Sequence, residues 1–373
     1  MKNEISSVEL HHLTKELQIL VDAKIDQVYQ PQKEEIILQF HKTGIGKIIL
    51  RIVKGKYLYI TNHKGKNPDR PHNYCIYLRR KIKGMRLRKI EQINSERILE
   101  ILFEAKEFKY KLILEFFNKG NIILVDDNNV IMSPFEIQKW EDRTIMPKHE
   151  YKFTKQINVK KLELEQIKTI LKTTIQKTIV KCLATDFSFG GIYAEELCLR
   201  MNIDKNIKPI ESSPKKIKEE IDNLLNQEIK ANVISKNENS KEIFPIDLQL
   251  NKNKEKETKE SFNIALDSVL TKEKIEKQEA AVFKESNKGL TKIQRIIDAQ
   301  SKSVKKLEKS IEENKQKGEL LYNKYQAVDD ILKQLKQVRE TLSWKEIKEK
   351  LKNHKVIKSI DEKHGKITIE LEE

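Results

Sequence analysis

The stretch Leu290–Leu342, LTKIQRIIDAQSKSVKKLEKSIEENKQKGELLYNKYQAVDDILKQLKQVRETL, decides how the rest of the chain is read. Stepping by three and four from Leu290 gives Ile293, Ile297, Gln300, Val304, Leu307, Ile311, Asn314 and Gly318. The series continues through Leu321, Tyr325, Val328, Leu332, Leu335, Arg339 and Leu342, and twelve of the sixteen positions are apolar. Lys, Glu, Gln and Ser fill most of the places between. This is the heptad pattern of a coiled-coil seam. A helix over it would be a rod of roughly 80 Å at about 1.5 Å per residue. Such a rod cannot fold back into a compact core, so it needs a partner helix or reaches something distant. A single amphipathic helix lying along a domain is the alternative. Asn314 and Gly318 weaken the seam, which predicts a bend or break there.

Working outward, the rod is expected from about Lys272. Beyond it, Trp344–His354 reads as a short helix, and Val356–Ile360 with Lys366–Glu370 as a hairpin turned at Lys363-His364-Gly365. Upstream, Lys230–Ser240 reads as a polar loop, Phe244–Leu250 as a strand, and Asn251–Glu260 as a charged, mobile loop. The region Val159–Gln227 is helical in pattern. Within it, Lys181–Phe189 leads through Gly190-Gly191 into Tyr193–Met201, the layout of a helix-hairpin-helix whose backbone N–H groups can face a phosphate. Glycines at such turns also serve purely steric needs.

The N-terminal part is rich in strands. Ser6 and Glu9 form a capping box ahead of an apolar helical stripe, Leu10, Leu13, Leu17, Leu20 and Val21. From Ala23 to Thr61 the period falls to two, with segments at Glu35–His41, Lys47–Val53 and Lys56–Thr61. Asn73–Lys83 is a helix stopped at Gly84. Strands are predicted at Ile98–Phe103, Tyr110–Phe117, Asn121–Asp126 and Val130–Met132. The fold class is therefore α+β, organised as a β-rich domain over 1–155, a helical module over 156–230, a connecting segment over 231–271, a coiled-coil arm over 272–343 and a tip over 344–373.

Net charge is +16, from 73 Lys+Arg against 57 Asp+Glu. Such a surplus points to a polyanion, nucleic acid before membrane, although heavy use of Lys and Glu also suits a thermophile's surface. The densest cluster is Arg79, Arg80, Lys81, Lys83, Arg86, Arg88 and Lys89, with Tyr74 and Tyr77 just upstream. Some of that charge complements a helix C-terminus. Seven cations in eleven residues repel one another, however, and phosphates would relieve that; the tyrosines would then stack on exposed bases.

No catalytic constellation emerges, and no metal or cofactor is expected. His11 and His12 are adjacent, so on a helix they diverge by about 100° and suit a metal poorly. Gly44-Ile45-Gly46 is a hairpin turn, lacking the third glycine of a dinucleotide fingerprint. Three scattered cysteines fit a reduced, cytoplasmic compartment, and no apolar run suggests a signal peptide or membrane span.

Several stretches together resemble the NFACT family, the NEMF/RqcH-type factors of ribosome-associated quality control. They are Ser6–Glu9 with Lys15-Glu16-Leu17, Ala23–Pro31, Leu78–Gly84, Glu96-Arg97-Ile98, Gly120–Leu124, Phe189–Cys198 and Leu342–Ile347, in collinear order. The resemblance implies an NFACT-N domain related in fold to the N-terminal domain of formamidopyrimidine-type DNA glycosylases. A helix-hairpin-helix module and a coiled-coil arm would follow it. It further implies a non-catalytic factor that binds the large ribosomal subunit carrying stalled peptidyl-tRNA and recruits aminoacyl-tRNA for C-terminal tailing. The family's returning coil helix and NFACT-R domain would lie outside these 373 residues, or two copies would pair through the coil. Glu9, Glu96 and Arg97 fall at the family's functional positions, beside the basic residues Arg79, Arg80, Lys81, Lys83, Arg86 and Arg88; Gly190 and Gly191 would face phosphate. Two acids depart from the pattern, Glu9 and Glu96 standing where the family has Asp, and His11 stands where Arg is usual. That puts tail synthesis in doubt if the acids act through short hydrogen bonds. A plain Glu96–Arg97 structural pair is the competing reading. Competing functions are an extracellular matrix (fibronectin) binder, a coiled-coil scaffold and a DNA glycosylase. The last would need an N-terminal proline where this chain has Lys2-Asn3.

Overall fold

The computed structural model describes residues 4–141, 143–153, 157–237, 240–352, 354–361 and 364–371. Lys2, Asn3, Lys363, the expected domain boundary at 155/156 and the side chain of Leu290 lie outside the described residues. The chain divides into two compact units, Met1–Lys277 and Gln278–Glu373.

In the first unit, α1 (Ser7–Glu16) begins at the expected capping box: Ser6 Oγ accepts from Glu9 N–H at 3.2 Å and Glu9 Oε2 from Ser6 N–H at 2.8 Å. The alternating segments then build β1 (Lys24–Tyr29), β2 (Glu35–Lys42), β3 (Gly46–Val53) and β4 (Tyr57–Ile60). After α2 (Asn73–Ile82) come β5 (Arg86–Gln92), β6 (Ile98–Ala105), β7 (Phe108–Glu115), β8 (Asn121–Asp126) and β9 (Ile131–Pro134). They form one nine-stranded sheet in the order β4-β3-β2-β1-β5-β6-β7-β8-β9. Two antiparallel meanders are thus joined at β1 and β5. Gly84 makes that join: with φ +85° it turns the chain out of α2, and its N–H donates to Ile25 O at 2.8 Å. The sequence reading runs the basic cluster on from α2 and misses β5. Its apolar residues, Leu87 and Ile90, are three apart because a bulge falls between Leu87 and Lys89 and breaks the alternation.

One sheet face packs under α1 and α2 around Leu10, Leu13, Phe40, Leu78, Phe103 and Leu114. The other buries Ile98, Ile113 and Ile123 with Ile145 and Tyr151, beside the short hairpin of β10 (Gln138–Lys139) and β11 (Thr144–Ile145). A second core is helical, built by α3 (Leu164–Thr173), α4 (Ile179–Thr185), α5 (Gly190–Arg200) and α6 (Pro214–Asn226).

The segment after α6 corrects the sequence reading. The expected polar loop is β12 (Ala231–Asn237), the strand expected at Phe244–Leu250 shares only Phe244 with β13 (Ser240–Phe244) and is otherwise a bend leading to a 3-10 turn, and the expected mobile loop contains β14 (Lys256–Lys259). β12 is central, paired on both sides. It serves two cores at once, Ala231 and Val233 in the sheet's and Ile234 in the helical one, so no single apolar stripe marks it.

Helix α7 (Phe262–Asn323) begins ten residues before the expected Lys272. Its first turns, with Phe262, Ala265, Leu266 and Val269, belong to the sheet's core. Glu16 of α1 accepts the N–H groups of Phe262 and Asn263 at 2.8 and 2.7 Å, satisfying two orphan donors of the helix start.

α1 also docks on the C-terminal end of α6, where the last carbonyls lack helical partners. His12 Nε2 meets Leu224 O at 3.1 Å; His11 Nε2 and Lys15 Nζ meet Leu225 O at 2.9 and 2.7 Å. Carbonyls only accept, so both rings carry their proton on Nε2. His12 Nδ1 is buried with no hydrogen-bond partner among the described residues, and a second proton there would be a charge with no acceptor among them. Burial, helped by Lys160 and Lys15, accordingly pushes His11 down to about 3 and His12 to about 4. Both folded values lie below the ordinary 6.5, so the unfolded chain takes up more protons as pH falls. Stability is full above about pH 6.5 and lost below it, by up to about 1.4 kcal/mol per pH unit per histidine. Urea titrations at pH 6.5 and 5 are expected to differ by roughly 2–3 kcal/mol for this unit, and His11→Gln with His12→Gln to flatten the difference. An unchanged pH profile in the double variant would refute the assignment.

In the second unit α7 continues, followed by α8 (Tyr325–Thr341), α9 (Trp344–Lys350), β15 (Ile357–Asp361) and β16 (Lys366–Ile369). The helix break falls at Lys324 (φ −109°, ψ 23°) and not at Asn314–Gly318. A lone glycine costs a helix only about 1 kcal/mol, too little to break it unaided. Seam residues Ile293, Ile297, Val304, Leu307, Ile311, Leu321 and Tyr325 are all exposed. Leu335 instead joins Ile347, Ile357 and Ile360 in a small core.

Candidate nucleic-acid interface

Three elements distant in sequence, the start of α1, the start of β6 and the α4–α5 turn, meet beside the β7–β8 turn at one cleft of about 550 Å³. Ser6, Ser7, Glu96, Arg97, Asn118, Ser188, Phe189 and Gly190 line it. Ser188 (φ +59°) and Gly190 (φ +73°) both take left-handed backbone to reverse the chain between the helices. Hydrogen bonds tie the three together. Ser7 Oγ donates to Ser188 O at 2.6 Å, and Ser188 Oγ to Glu96 Oε1 at 3.2 Å. Gln92 Nε2 donates to both Ser7 O and Glu96 O at 2.8 Å.

Glu9 is buried in the capping box, and Tyr193 O–H from α5 donates to its Oε1 at 3.3 Å. A capping box uses Glu or Gln at this place, so the longer acid is what lets the side chain reach back to Ser6 N–H. Glu96 is also buried, and that burial pushes its carboxyl up, opposed by the Ser188 hydroxyl and by Arg97. Arg97, a third exposed, pairs with Glu4 at 2.5 Å. A second hollow of about 270 Å³ shares Ser6, Phe189 and Gly190 and reaches Gly191. The first turn of α5 has no side-chain cap, and a Cβ on either glycine would meet nothing within 4 Å. An anion could approach those amides directly.

The basic run does not share this cleft. Register pairs Arg86 with Glu104 and Gln92 with Leu99, so the run and Glu96-Arg97 occupy opposite ends of the β5–β6 hairpin. Six strand residues separate them, about 20 Å. The run is itself divided. Arg79 Nε donates to Val28 O at 2.6 Å and its guanidinium lies over Tyr29. Arg86 donates to Asp22 O at 2.9 Å, and Arg88 pairs with Asp22 and Glu104 at 2.5 and 3.1 Å. Arg80 and Lys83 are exposed with no ion-pair partner among the described residues. Lys81 lies 5.8 Å from the centre of the Tyr110 ring. Tyr74, expected to stack on bases, is turned into the core, its O–H donating to Ile122 O at 2.7 Å. It stands on the α2 face that meets the sheet, and Tyr77 too is only partly exposed.

Sequence reasoning missed Ser7, Gln92, Ser188 and Tyr193. Only Ser7, next to the capping Ser6, carried a local signal. Among the described residues no cluster of His, Cys, Asp or Glu is arranged for a metal, and no helix is long and apolar enough to cross a membrane. All three cysteines are buried and free.

The family model for NFACT N-terminal and middle domains matches residues 6–373. The archaeal Rqc2 homolog aRqcH of Methanocaldococcus jannaschii is 32% identical over 396 residues, covering all of this chain and 58% of that protein. The ribosome quality control complex subunit NEMF homolog of Drosophila melanogaster is 22% identical over 94% of this chain and 42% of its own length. The chain thus spans about half the length of these relatives. Among solved structures, the fibrinogen binding protein from Staphylococcus aureus aligns at TM-score 0.59 and 20% identity, over 70% of this chain and 97% of that one. The N-terminal part of a fibronectin/fibrinogen-binding protein from Streptococcus suis aligns at 0.58 and 23%, over 72% and 100%. At those identities the likeness is one of fold alone. The match over residues 6–373, with an archaeal relative at 32% identity, shows that the chain belongs to the NFACT family.

Proposed function

We propose that this chain is the RNA-binding part of a ribosome-associated quality-control factor. It engages the large ribosomal subunit carrying stalled peptidyl-tRNA and recruits tRNA for C-terminal tailing, with peptidyl transfer left to the ribosome. The observation that carries the reading is the convergence of Glu96, Arg97 and Gly190 on one cleft, with Glu9 lining the adjoining hollow that shares Ser6, Phe189 and Gly190, although 181 positions separate Glu9 from Gly190. The cleft is mixed in charge. The Glu96 carboxylate suits N–H and O–H donors of bases and riboses, while Arg97 and the uncapped α5 amides suit a phosphate. The helix–turn–helix of α4 and α5 then acts as a helix-hairpin-helix, and the factor needs no metal or cofactor of its own.

Sedimentation with large subunits bearing peptidyl-tRNA tests this. Arg97→Ala removes a half-exposed ion pair that adds little to stability, so the variant is expected to fold. Removing this one side chain from the interface is expected to weaken co-sedimentation by about 5- to 100-fold, equivalent to roughly 1–3 kcal/mol. Unchanged co-sedimentation would remove the cleft from the interface.

A further inference from the structure

At the far end of the same hairpin the sheet's core face runs out from under its helix. Tyr110 pairs with Phe103 and Phe108 with Ala105, so Phe108 and Tyr110 lie on the face that buries Phe103 and Leu87. α2 stops at Ile82, and Phe108 is left 62% exposed. The Phe108 and Tyr110 rings stand within 18° of parallel, their centres 6.4 Å apart. Lys81 Nζ sits 5.8 Å from the Tyr110 ring centre. Tyr77, one helical turn before Lys81, is close enough to Tyr110 and Arg80 to feel both electrostatically. Around the rings, Arg80, Lys83 and Lys106 are exposed without ion-pair partners among the described residues, while Lys109 faces Glu104 at 3.7 Å.

We propose that Phe108 and Tyr110 form a stacking platform for a base of single-stranded RNA, with Arg80, Lys81 and Lys83 on the flanking phosphates. Two physical arguments favour this occupant over a protein. Protein interfaces are depleted in lysine, whereas this rim is lysine-rich and largely unneutralised. Parallel aromatic rings beside cations offer every base a π-face and its phosphate a counter-charge, without reading sequence. Double-stranded RNA would keep its bases stacked on one another and gain nothing from the platform. The site is distinct from the Glu96–Arg97 cleft: Ala105 and Ile98, at the two ends of β6, are seven residues or about 23 Å apart.

The test titrates the protein with a labelled, unstructured 12-nucleotide RNA and with a duplex RNA of the same length, at several salt concentrations. Phe108→Ala, an exposed position, is expected to weaken single-strand binding about tenfold or more. The duplex affinity and the salt dependence should stay unchanged. Phe108→Trp is expected to restore the affinity. Lys81→Gln with Lys83→Gln should instead flatten the salt dependence, its logarithmic slope falling by roughly 0.7 for each phosphate no longer neutralised. Single-strand affinity unmoved by Phe108→Ala, or lost equally on duplex RNA, would overturn the proposal. No ribosome enters the assay, so its outcome is independent of the function proposed above.

Discussion

Gly120→Ala is expected to be the most disruptive single-methyl change in the first unit. Gly120 has φ +63° in the turn between β7 and β8, where it meets Gly55 (φ +69°) of the β3–β4 turn. A Cβ on Gly120 would lie 2.1 Å from Gly55 Cα and 2.3 Å from Gly55 N. Both neighbours are backbone and neither can swing aside, so the two turns must separate. Left-handed strain alone costs about 1 kcal/mol, and prising the turns apart should bring the total above about 3 kcal/mol. Gly44→Ala is the control. It carries the same kind of strain (φ +82°) with nothing within 4 Å, and should cost only the conformational part. Urea midpoints followed by far-ultraviolet circular dichroism separate the two, and equal losses would show that the close approach is not what matters.

Glu35→Gln should cost nearly as much. Arg51 is wholly buried, with Nε 2.9 Å from Glu35 Oε1 and its other nitrogens donating to the Tyr59 hydroxyl oxygen (3.1 Å) and His63 O (2.6 Å). Lys274 from α7 pairs with the second oxygen of Glu35, and burial pushes its ammonium down. One carboxylate therefore balances two largely buried cations and ties the base of α7 to β2 and β3. Neutralising it leaves two facing positive charges, a loss of about 3–5 kcal/mol. Replacing all three together, Glu35→Leu with Arg51→Met and Lys274→Met, is expected to recover much of that, since well-packed apolar residues often equal a buried ion pair. A triple variant as unstable as Glu35→Gln would show that packing, not charge balance, sets the cost.

Most strands of the two meanders, the capping box, the C-terminal hairpin and the existence of a long helix were legible in the sequence, although the break expected at Asn314–Gly318 falls at Lys324. Each is set by neighbours a few positions apart: alternation for β2, β3, β6 and β7, and Ser6 against Glu9 for α1. β5, β12 and β14 were not legible. β5 is interrupted by a bulge, and β12 divides its side chains between two cores, so neither shows the plain period of two. The start of α7 was misplaced because its first turns answer to the sheet's core and not to the heptad. Resemblance named Glu9, Glu96, Arg97 and Gly190 without saying that they line two adjoining hollows with Gly190 in both.

By itself, then, the sequence determined most of the local elements, the excess of positive charge and the family. Only the tertiary structure decided which charges are engaged. One run of cations from Arg79 to Lys89 divides into Arg79, Arg86 and Arg88, bonded within the fold, and Arg80 and Lys83, exposed. The physical reason is range. Helix and strand preferences act over three or four residues, whereas a side chain's partner is fixed by packing: Glu16 finds Phe262 across 246 positions.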